Sequence, residues 1–277
     1  MSVVFKSTDV KEVFNSDISS IWSEKGNLAK VTVGSDNPMK GELQKFLKNG
    51  ISILEVGCGD GKLIKYVCDN VEQCKIYGVD ASEKMIDYAE ARFESNENKN
   101  EIKFIAGLIE TVNFEQTFDI IIMKQVLHHI NNPKIILQKL EKNLAENGVL
   151  ILMVPGKGYQ ANILPFSHED DLLGRYARSA LENLIINSGL FPLNILSDKF
   201  IFEFVNLYDY FKFMNNIGGV QKIHNYNADE YNIVIDWIKL YEEYLRKTEK
   251  MMVSGEYFVA TCMKTNDYVL ECIKTKK

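Results

Sequence analysis

Three glycines spaced two residues apart are the clearest chemical feature of the sequence. Gly57, Gly59 and Gly61 come directly after an apolar run and directly before a segment with helical periodicity. Glycines at such a junction let the main chain turn sharply and let a ligand approach the backbone without interference from a Cβ atom. The helix that follows would offer free N–H groups and the positive end of its dipole. The spacing therefore predicts a loop that holds a small ligand beyond the end of a strand.

The residues around this loop distinguish it from an ordinary dinucleotide-binding loop. In the G-x-G-x-x-G pattern of such loops, counted from Gly57, a third glycine would fall where this chain has Lys62. The pattern is instead E-x-G-x-G-x-G, which begins at Glu55. A second carboxylate, Asp80, ends the next apolar run. A carboxylate at that place can accept two hydrogen bonds from a vicinal diol.

Strand-like and helix-like segments alternate along the first half of the chain from about residue 50. The apolar runs typical of buried strands are 51–56, 75–79, 102–105, 118–123 and 149–154. The intervening segments, with apolar residues three and four apart, are 62–71, 82–93 and 132–144. Because parallel strands need long crossover connections, this alternation predicts a doubly wound α/β unit. Farther along, the pattern predicts a helix at 176–187 and strands at 191–204 and 257–263.

Five landmarks in the correct order make the sequence resemble the class I S-adenosylmethionine-dependent methyltransferases. The first two are the glycine motif and Asp80 at the end of the second strand. The others are the Phe118-Asp119 start of the fourth strand, the Leu127-His128-His129 turn after it and the Asn147-Gly148 entry to the fifth strand. The resemblance implies a Rossmann-like α/β fold: a seven-stranded, mostly parallel sheet with helices on both faces, an antiparallel last strand and a helical cap. It also implies methyltransferase activity with S-adenosyl-L-methionine as cofactor and S-adenosyl-L-homocysteine as product.

The resemblance assigns cofactor contacts to residues at the ends of the first four strands. It implies that Glu55 and the glycine loop line the methionine half of the cofactor and that Asp80 holds the ribose. Members of the family often have Gly-Asp or Gly-Asn after the third strand, whereas this chain has Ala106-Gly107. Backbone N–H groups and apolar packing are therefore expected to hold the adenine. The expected cofactor-binding residues are Glu55, Gly57, Cys58, Gly59, Gly61, Asp80, Ala81, Met85, Gly107, Leu108, Ile109, Lys124 and Gln125.

Two adjacent histidines stand on the turn that, by the resemblance, faces the transferred methyl group. Because imidazole titrates near neutrality, His129 is the first candidate for a base that accepts a proton from the methyl acceptor, and His128 is the second. A carboxylate acceptor needs no base, and for such an acceptor the histidine would serve as an anchor. Both roles stay open at this point, as does the methylated atom, which can be O, N, S or C.

The chain divides into a cofactor-binding core and flanking segments that would contact the acceptor. The core is expected at 50–155, an N-terminal helical extension at 1–49, the rest of the sheet at 156–264 and a tail at 265–277. The segment at about 205–252 is expected to be an inserted substrate cap. Residues 203–218, at its beginning, are loosely similar to a lid helix of the trans-aconitate, malonyl-carrier-protein and juvenile-hormone-acid methyltransferases. This similarity favours a small-molecule acceptor, with carboxylate or hydroxyl oxygen slightly preferred over nitrogen.

Two arginines near the predicted helix at 176–187 have two possible roles. Arg175 and Arg178 could together clamp an acidic substrate, because residues three apart share a helix face. The other interpretation is a solvated helix face.

The overall composition narrows the alternatives. The 277 residues carry 32 Lys and Arg against 38 Asp and Glu, and this net charge of −6 disfavours nucleic-acid binding. No apolar run approaches the roughly 18 residues of a membrane span, and the five cysteines and four histidines lack the spacing of a metal site. We therefore expect a cytoplasmic protein with a small-molecule substrate, no metal and no membrane contact, either monomeric or homodimeric. The alternative functions are a protein or RNA methyltransferase and a non-methylating protein that binds S-adenosylmethionine.

Overall fold

The computed structural model describes four stretches of the chain and a few single residues. The stretches are 37–94, 99–162, 174–205 and 251–265, and the single residues are Lys11, Asn15, Tyr210, Lys239 and Glu243. Most of the predicted N-terminal extension, the predicted cap and the predicted tail lie outside these residues. Within the described residues, no helix has the length and apolar character needed to cross a membrane.

Seven strands form one sheet in the order β3-β2-β1-β4-β5-β7-β6. The first five run parallel to one another, and β7 runs antiparallel to both of its neighbours. The predicted seven-stranded, mostly parallel sheet with an antiparallel last strand is thus confirmed. The strands are β1 (Ser52–Val56), β2 (Lys75–Asp80), β3 (Glu101–Ala106), β4 (Phe118–Lys124), β5 (Leu144–Pro155), β6 (Leu190–Phe204) and β7 (Met251–Lys264).

Helices connect β1 to β2, β2 to β3 and β4 to β5, as the periodicity of the sequence predicts, whereas β3 and β4 are joined by a stretch without a helix. Ser82 caps α3, because its hydroxyl oxygen accepts a hydrogen bond from Met85 N at 3.2 Å. Pro133 occupies the first turn of α4, where its missing N–H costs nothing. The helices are α1 (Asn37–Gln44), α2 (Lys62–Cys68), α3 (Glu83–Phe93), α4 (Pro133–Lys142) and α5 (Arg178–Ile186).

The sheet is covered by apolar side chains on both faces. One cluster joins alternate residues of β1, β4 and β5 to α4 and α5. The other cluster joins the remaining strand residues to α1, α2 and Ile86 of α3. Because both faces are buried, the central strands are near-continuous apolar runs, which is why they are recognisable in the sequence. This double covering leaves the ends of the strands as the place where polar groups gather.

Two predicted boundaries differ from the observed ones because tertiary hydrogen bonds decide them. The helix predicted from residue 176 begins only at Arg178, because the N–H of Tyr176 donates to the carbonyl of Pro155 at 2.9 Å. Strand β5 begins earlier than the predicted residue 149, since Leu144 already pairs with Phe118.

The antiparallel pair of β6 and β7 is longer than the sequence predicts. The last strand begins at Met251 rather than at residue 257, because it pairs with β6 as far as Phe204. The segment that follows β5, residues 156–162, continues along the side of β7 that pairs with β5. Gln160 N donates to Ser254 O at 2.6 Å, and the Asn162 side-chain amide donates to the carbonyl of Met252 at 2.6 Å. The predicted helical character of 205–252 therefore does not extend into the start of this strand.

Candidate active site

The predicted site residues converge at one edge of the sheet. Strands β1, β2, β3 and β4 are parallel, so their carboxyl ends lie together, and ligands of such folds bind at this edge. The glycine loop follows β1, Asp80 ends β2, Gly107 follows β3 and Lys124 ends β4. The histidines stand on a short 3-10 turn, Leu127–His129, just beyond β4.

The glycine loop turns at residues that only glycine fits easily. Gly57 has a φ of +73°, in the left-handed region. A Cβ atom at Gly57 would lie 2.1 Å from Cγ2 of Val126. The N–H groups of Gly57 and Cys58 both donate to the carbonyl of Val79, at 2.7 and 3.0 Å, so the loop is fastened to the end of β2. The first glycine is therefore required by close approach to the β4 turn as well as by conformation.

Asp80 joins the glycine loop to the start of α3. Its carboxylate accepts hydrogen bonds from Gly59 N and from Ser82 N, each at 2.9 Å. Burial raises the pKa of Asp80, and these two hydrogen bonds oppose that rise. A carboxylate has about four lone-pair sites, so two backbone donors leave acceptor capacity for the hydroxyls of a ligand.

The acid inside the glycine loop has ionic partners that could not be recognised from the sequence. Asp60 lies between Gly59 and Gly61, and only 5% of its surface is exposed. Its carboxylate pairs with Arg92 at 2.5 Å and with Lys62 at 2.9 Å. The motif contains Asp60, but nothing in the sequence indicates that Arg92, in the last turn of α3, would pair with it.

Two other predicted residues of this loop are buried. The side chain of Glu55, in β1, is 2% exposed, and Cys58 is 5% exposed. The pKa of the Cys58 thiol is raised well above its ordinary value, chiefly by burial and further by the negative charges of Asp80 and Glu55. Cys58 thus contributes its backbone and its small volume to the loop, whereas a nucleophilic role would require a lowered pKa.

We expect Cys58 to be unreactive in the folded protein. At neutral pH, iodoacetamide should label Cys68, which is half-buried, well before Cys58, Cys74 or Cys262, which are buried. Peptide mapping by mass spectrometry over a time course would measure this order, with urea-unfolded protein as the control in which all sites react. Early labelling of Cys58 under native conditions would contradict the burial of this thiol.

The residues expected around the adenine divide into exposed and buried groups. Ala81 and Leu108 are partly exposed at the site, whereas Met85 and Ile109 are buried, the latter within the core cluster of α4 and α5. The N–H of Gly107 already donates to the carbonyl of Asp80 at 2.8 Å. The N–H group of Gly107 therefore joins the ends of β2 and β3.

A lysine from α4 fixes the turn that carries Leu108 and Ile109. The Lys139 ammonium donates to the carbonyls of Ile109 (2.8 Å) and Val112. Desolvation lowers the pKa of Lys139. This contact too was not evident from the sequence, because α4 follows the turn only after an intervening strand.

The end of β4 presents polar groups that are held in unusual positions. Gln125 has a φ of +58°, and its N–H donates to the carbonyl of Met153 at 2.8 Å. The Gln125 side-chain nitrogen is buried and has no hydrogen-bond partner within the described residues. The rings of His128 and His129 lie 4.0 Å apart, centroid to centroid, at an angle of 39°. Non-glycine residues in the left-handed region are uncommon, and such backbone outliers cluster at functional sites.

The two arginines considered as an acid clamp have structural partners instead. Arg175 is 5% exposed and precedes α5, and its guanidinium donates to the carbonyl of Tyr159 at 2.9 Å. The Arg178 guanidinium donates to the carbonyl of Ile195 at 2.6 Å. Because Arg175 is buried, the solvated-face interpretation is wrong for it, and these contacts give both residues a role in loop and strand packing.

A buried carboxylate fastens the loop that follows β5. Glu256 of β7 accepts hydrogen bonds from Gly158 N at 2.7 Å and from the Ser197 hydroxyl at 2.8 Å. Next to it, aromatic rings contact one another in an unbroken chain along the antiparallel pair of β6 and β7. These rings belong to Phe200, Phe202, Phe204, Tyr159, Tyr210 and Tyr257.

The donor set fits S-adenosylmethionine better than a metal ion. Within the described stretches, no group of three or more His, Cys, Asp or Glu residues is arranged to hold a metal. The glycine loop provides backbone that a ligand can approach closely, and Glu55 and Asp80 provide carboxylates for an ammonium group and a vicinal diol. Leu108, which is partly exposed, would offer apolar surface to a flat base.

Comparison with known sequences agrees with this geometry. Residues 47–181 match the family model described as a methyltransferase domain. The chain is 30% identical over 136 residues to the malonyl-acyl-carrier-protein O-methyltransferase of Priestia megaterium, covering 49% of this chain and 48% of that protein. It is 26% identical over 106 residues to the (S)-tetrahydroprotoberberine N-methyltransferase of Eschscholzia californica, covering 38% of this chain and 30% of that protein.

Comparison with solved structures supports the fold. The 4+2 cyclase SpnF superposes with a TM-score of 0.60 at 16% identity, over 95% of this chain and 99% of that one. The chain covers less than half of either curated relative, so the sequence similarity is confined to one part of each. The match to the methyltransferase-domain model, residues 47–181, contains the glycine loop, Asp80 and the histidine turn. Through residues 47–181, just under half of its length, the chain therefore matches a methyltransferase domain, in agreement with a site for S-adenosylmethionine.

Proposed function

We propose that this chain transfers the methyl group of S-adenosylmethionine to a small-molecule acceptor. The observation that carries the proposal is the glycine loop held by Asp80 at the carboxyl edge of the sheet, within the residues that match a methyltransferase domain. When bound, S-adenosylmethionine supplies a methyl group that is already strongly electrophilic because it is attached to a sulfonium. The chain's own task is to hold the acceptor in line and to exclude water.

The cofactor residues proposed here divide by the part of the ligand that they suit. Glu55 and the loop residues Gly57, Cys58, Gly59 and Gly61 would hold the methionine portion through backbone N–H groups and a carboxylate. Asp80 would accept hydrogen bonds from the ribose hydroxyls, while it keeps the glycine loop in place. The adenine would lie against residues after β2 and β3, which are Ala81, Met85, Gly107, Leu108 and Ile109. Lys124 and Gln125 would contact the amino-acid tail from β4.

The acceptor is proposed to meet His128 and His129. Their turn adjoins the glycine loop, because Val126 lies against Gly57. Oxygen of a carboxylate or hydroxyl is slightly preferred over nitrogen as the methylated atom. In support, the relative that is 30% identical is an O-methyltransferase by name, and the one that is 26% identical is an N-methyltransferase.

A transfer assay with fractionated extract would test the small-molecule proposal. The protein would be incubated with S-adenosylmethionine labelled on the methyl group and with an extract separated into metabolites and macromolecules. We expect S-adenosylhomocysteine to form and the label to enter the metabolite fraction. Label in protein or RNA would point to a macromolecular acceptor, and cofactor binding without S-adenosylhomocysteine would show a non-methylating protein.

Substitution of His129 should separate its two proposed roles once an acceptor is in hand. If the acceptor loses a proton, His129→Ala should lower the rate constant by about 10²- to 10⁴-fold. If the acceptor is a carboxylate, the same change should instead raise the KM for the acceptor and leave kcat nearly unchanged. His128→Ala tests the second candidate base in the same way, because the two rings are adjacent. Unaltered kinetics in both variants would remove the histidines from the reaction.

A further inference from the structure

An arginine outside the predicted site donates two hydrogen bonds to one residue of the glycine loop. Arg92 lies in the last turn of α3, and its Nε donates to the carbonyl of Asp60 at 2.7 Å. Its Nη2 also donates to Oδ2 of the same residue at 2.5 Å. The guanidinium is a rigid planar fork, so these two contacts fix the main chain and the side chain of Asp60 together.

The loop has particular need of such a contact, because its own residues do not define its shape. Asp60 stands between Gly59 and Gly61, whose φ angles are +53° and +75°. Glycines populate many backbone conformations, so the loop loses much entropy when it is fixed in one of them. Asp80 holds the N–H of Gly59 from one side, and Arg92 holds Asp60 from the other. Adjacent loop residues are thus fastened to β2 and to α3.

Charge balance in the loop depends on the same arginine. The carboxylates of Asp80, Glu55 and Asp60 all lie close enough to Cys58 to act on its thiol. Arg92 and Lys62 are the cations paired with Asp60. The Arg92 side chain is 30% exposed and that of Asp60 only 7%, so most of this pairing is shielded from solvent. Removing the guanidinium would leave a buried carboxylate short of a partner, which is costly.

We propose that Arg92 is a positioning residue for S-adenosylmethionine, which acts through Asp60 to hold the glycine loop in its binding conformation. Arg92 itself does not contact the cofactor in this proposal, which rests on the assignment of the loop as the cofactor site. Its loss would therefore weaken cofactor affinity while the fold persists.

Titration calorimetry with S-adenosylhomocysteine and S-adenosylmethionine tests this proposal. We expect Arg92→Gln to raise both dissociation constants about tenfold, the effect of losing one charge-assisted contact. Arg92→Lys should be intermediate, because an ammonium can pair with the carboxylate but cannot also reach the carbonyl as a fork. Lys99→Gln is the matched control, since Lys99 pairs with Glu72 at 2.8 Å on the surface, and it should leave both constants unchanged.

Two further measurements distinguish positioning from a general loss of stability. In the cofactor-free Arg92→Gln variant, amide hydrogen exchange should be faster than in the wild-type protein for peptides that cover 57–61, but not for peptides from β4 or β5. In an Asp60→Asn background, Arg92→Gln should weaken binding by less than it does in the wild-type background. All titrations would be done at a temperature where circular dichroism shows every variant to be folded, and Arg92→Lys carries the test if Arg92→Gln does not fold.

The outcomes separate this proposal from the proposed function. If the wild-type protein binds S-adenosylhomocysteine and Arg92→Gln binds it equally well, the positioning role is wrong. The same conclusion holds if the Arg92→Gln penalty is undiminished in the Asp60→Asn background. If the folded wild-type protein binds neither nucleoside, it is the proposed function that fails.

Discussion

Gly57→Ala should destabilise the protein and abolish measurable binding of S-adenosylmethionine. The φ of +73° at this residue costs an alanine about 1–2 kcal/mol. The new Cβ would also meet Cγ2 of Val126 at 2.1 Å, and overpacking of this kind costs about 1–3 kcal/mol more. Urea unfolding would measure the loss of stability, and titration calorimetry would measure binding.

The chain offers a matched control for this substitution. Gly50 has a nearly equal φ of +79°, but a Cβ there would have no atom within 4 Å. Gly50→Ala should therefore cost only the conformational part, about 1–2 kcal/mol, and leave binding intact. Adding Val126→Ala to Gly57→Ala should recover part of the lost stability, because it removes the clashing methyl group. Equal destabilisation by Gly50→Ala and Gly57→Ala would show that the steric contact is unimportant.

Asp80→Ala should weaken cofactor binding by about 1–3 kcal/mol, the cost of leaving polar groups without a partner. This corresponds to roughly 5- to 150-fold in Kd. The change removes the proposed ribose acceptor and also the acceptor for Gly59 N and Ser82 N. Calorimetric titration of S-adenosylmethionine into the folded variant would measure it, and an unchanged Kd would exclude Asp80 from the site.

Asp119 provides a control of the same chemistry at the opposite edge of the sheet. Its carboxylate accepts hydrogen bonds from the N–H of Ser52 at 2.8 Å and from the Ser52 hydroxyl at 2.9 Å, at the start of β1 and β4. Asp119→Ala should therefore lower stability, as Asp80→Ala does, but should leave the Kd for the cofactor unchanged. If both variants bind equally weakly, the effect of Asp80→Ala is one of folding.

The raised pKa of Asp80 gives cofactor affinity a definite pH dependence. Between the ordinary value of 3.8 and the raised value, the folded protein binds more protons than the unfolded chain. The stabilisation from this group is therefore fully present below pH 3.8 and is lost as the pH rises through the raised pKa. Cofactor affinity should move in the opposite direction and weaken on acidification, because a protonated carboxyl accepts fewer hydrogen bonds. Asp80→Ala should lack this component of the pH profile.

Much of the core could be predicted from the sequence because its signals are local. The apolar runs of β1, β2 and β4 are short and continuous, and the observed strands agree with their predicted bounds to within one residue. Ser82 could be recognised as a cap from its place before an apolar periodic segment. Boundaries went wrong where a distant partner decides them, as at Tyr176 and Met251.

Several contacts of the site could not be predicted, because each joins residues far apart in the chain. Arg92 and Asp60 meet only because α3 returns along the loop that follows β1. Arg175 reaches Tyr159, and Glu256 reaches Gly158, across segments with no common periodicity. Charged residues are mostly exposed in folded proteins, and only packing shows that Arg92, Arg175 and Glu256 are partnered.

The sequence by itself determined the alternating fold class and the glycine-rich turn, and through its motif the acid that ends the second strand. These features depend on side-chain periodicity and on backbone freedom at single residues, and both are properties of neighbours along the chain. Only the tertiary structure decided which groups hold the loop in place: Asp80 on Gly59, Val126 against Gly57 and Arg92 on Asp60. The reason is physical, since such contacts depend on how whole strands and helices pack, and that packing sums many weak apolar contacts over the entire sheet.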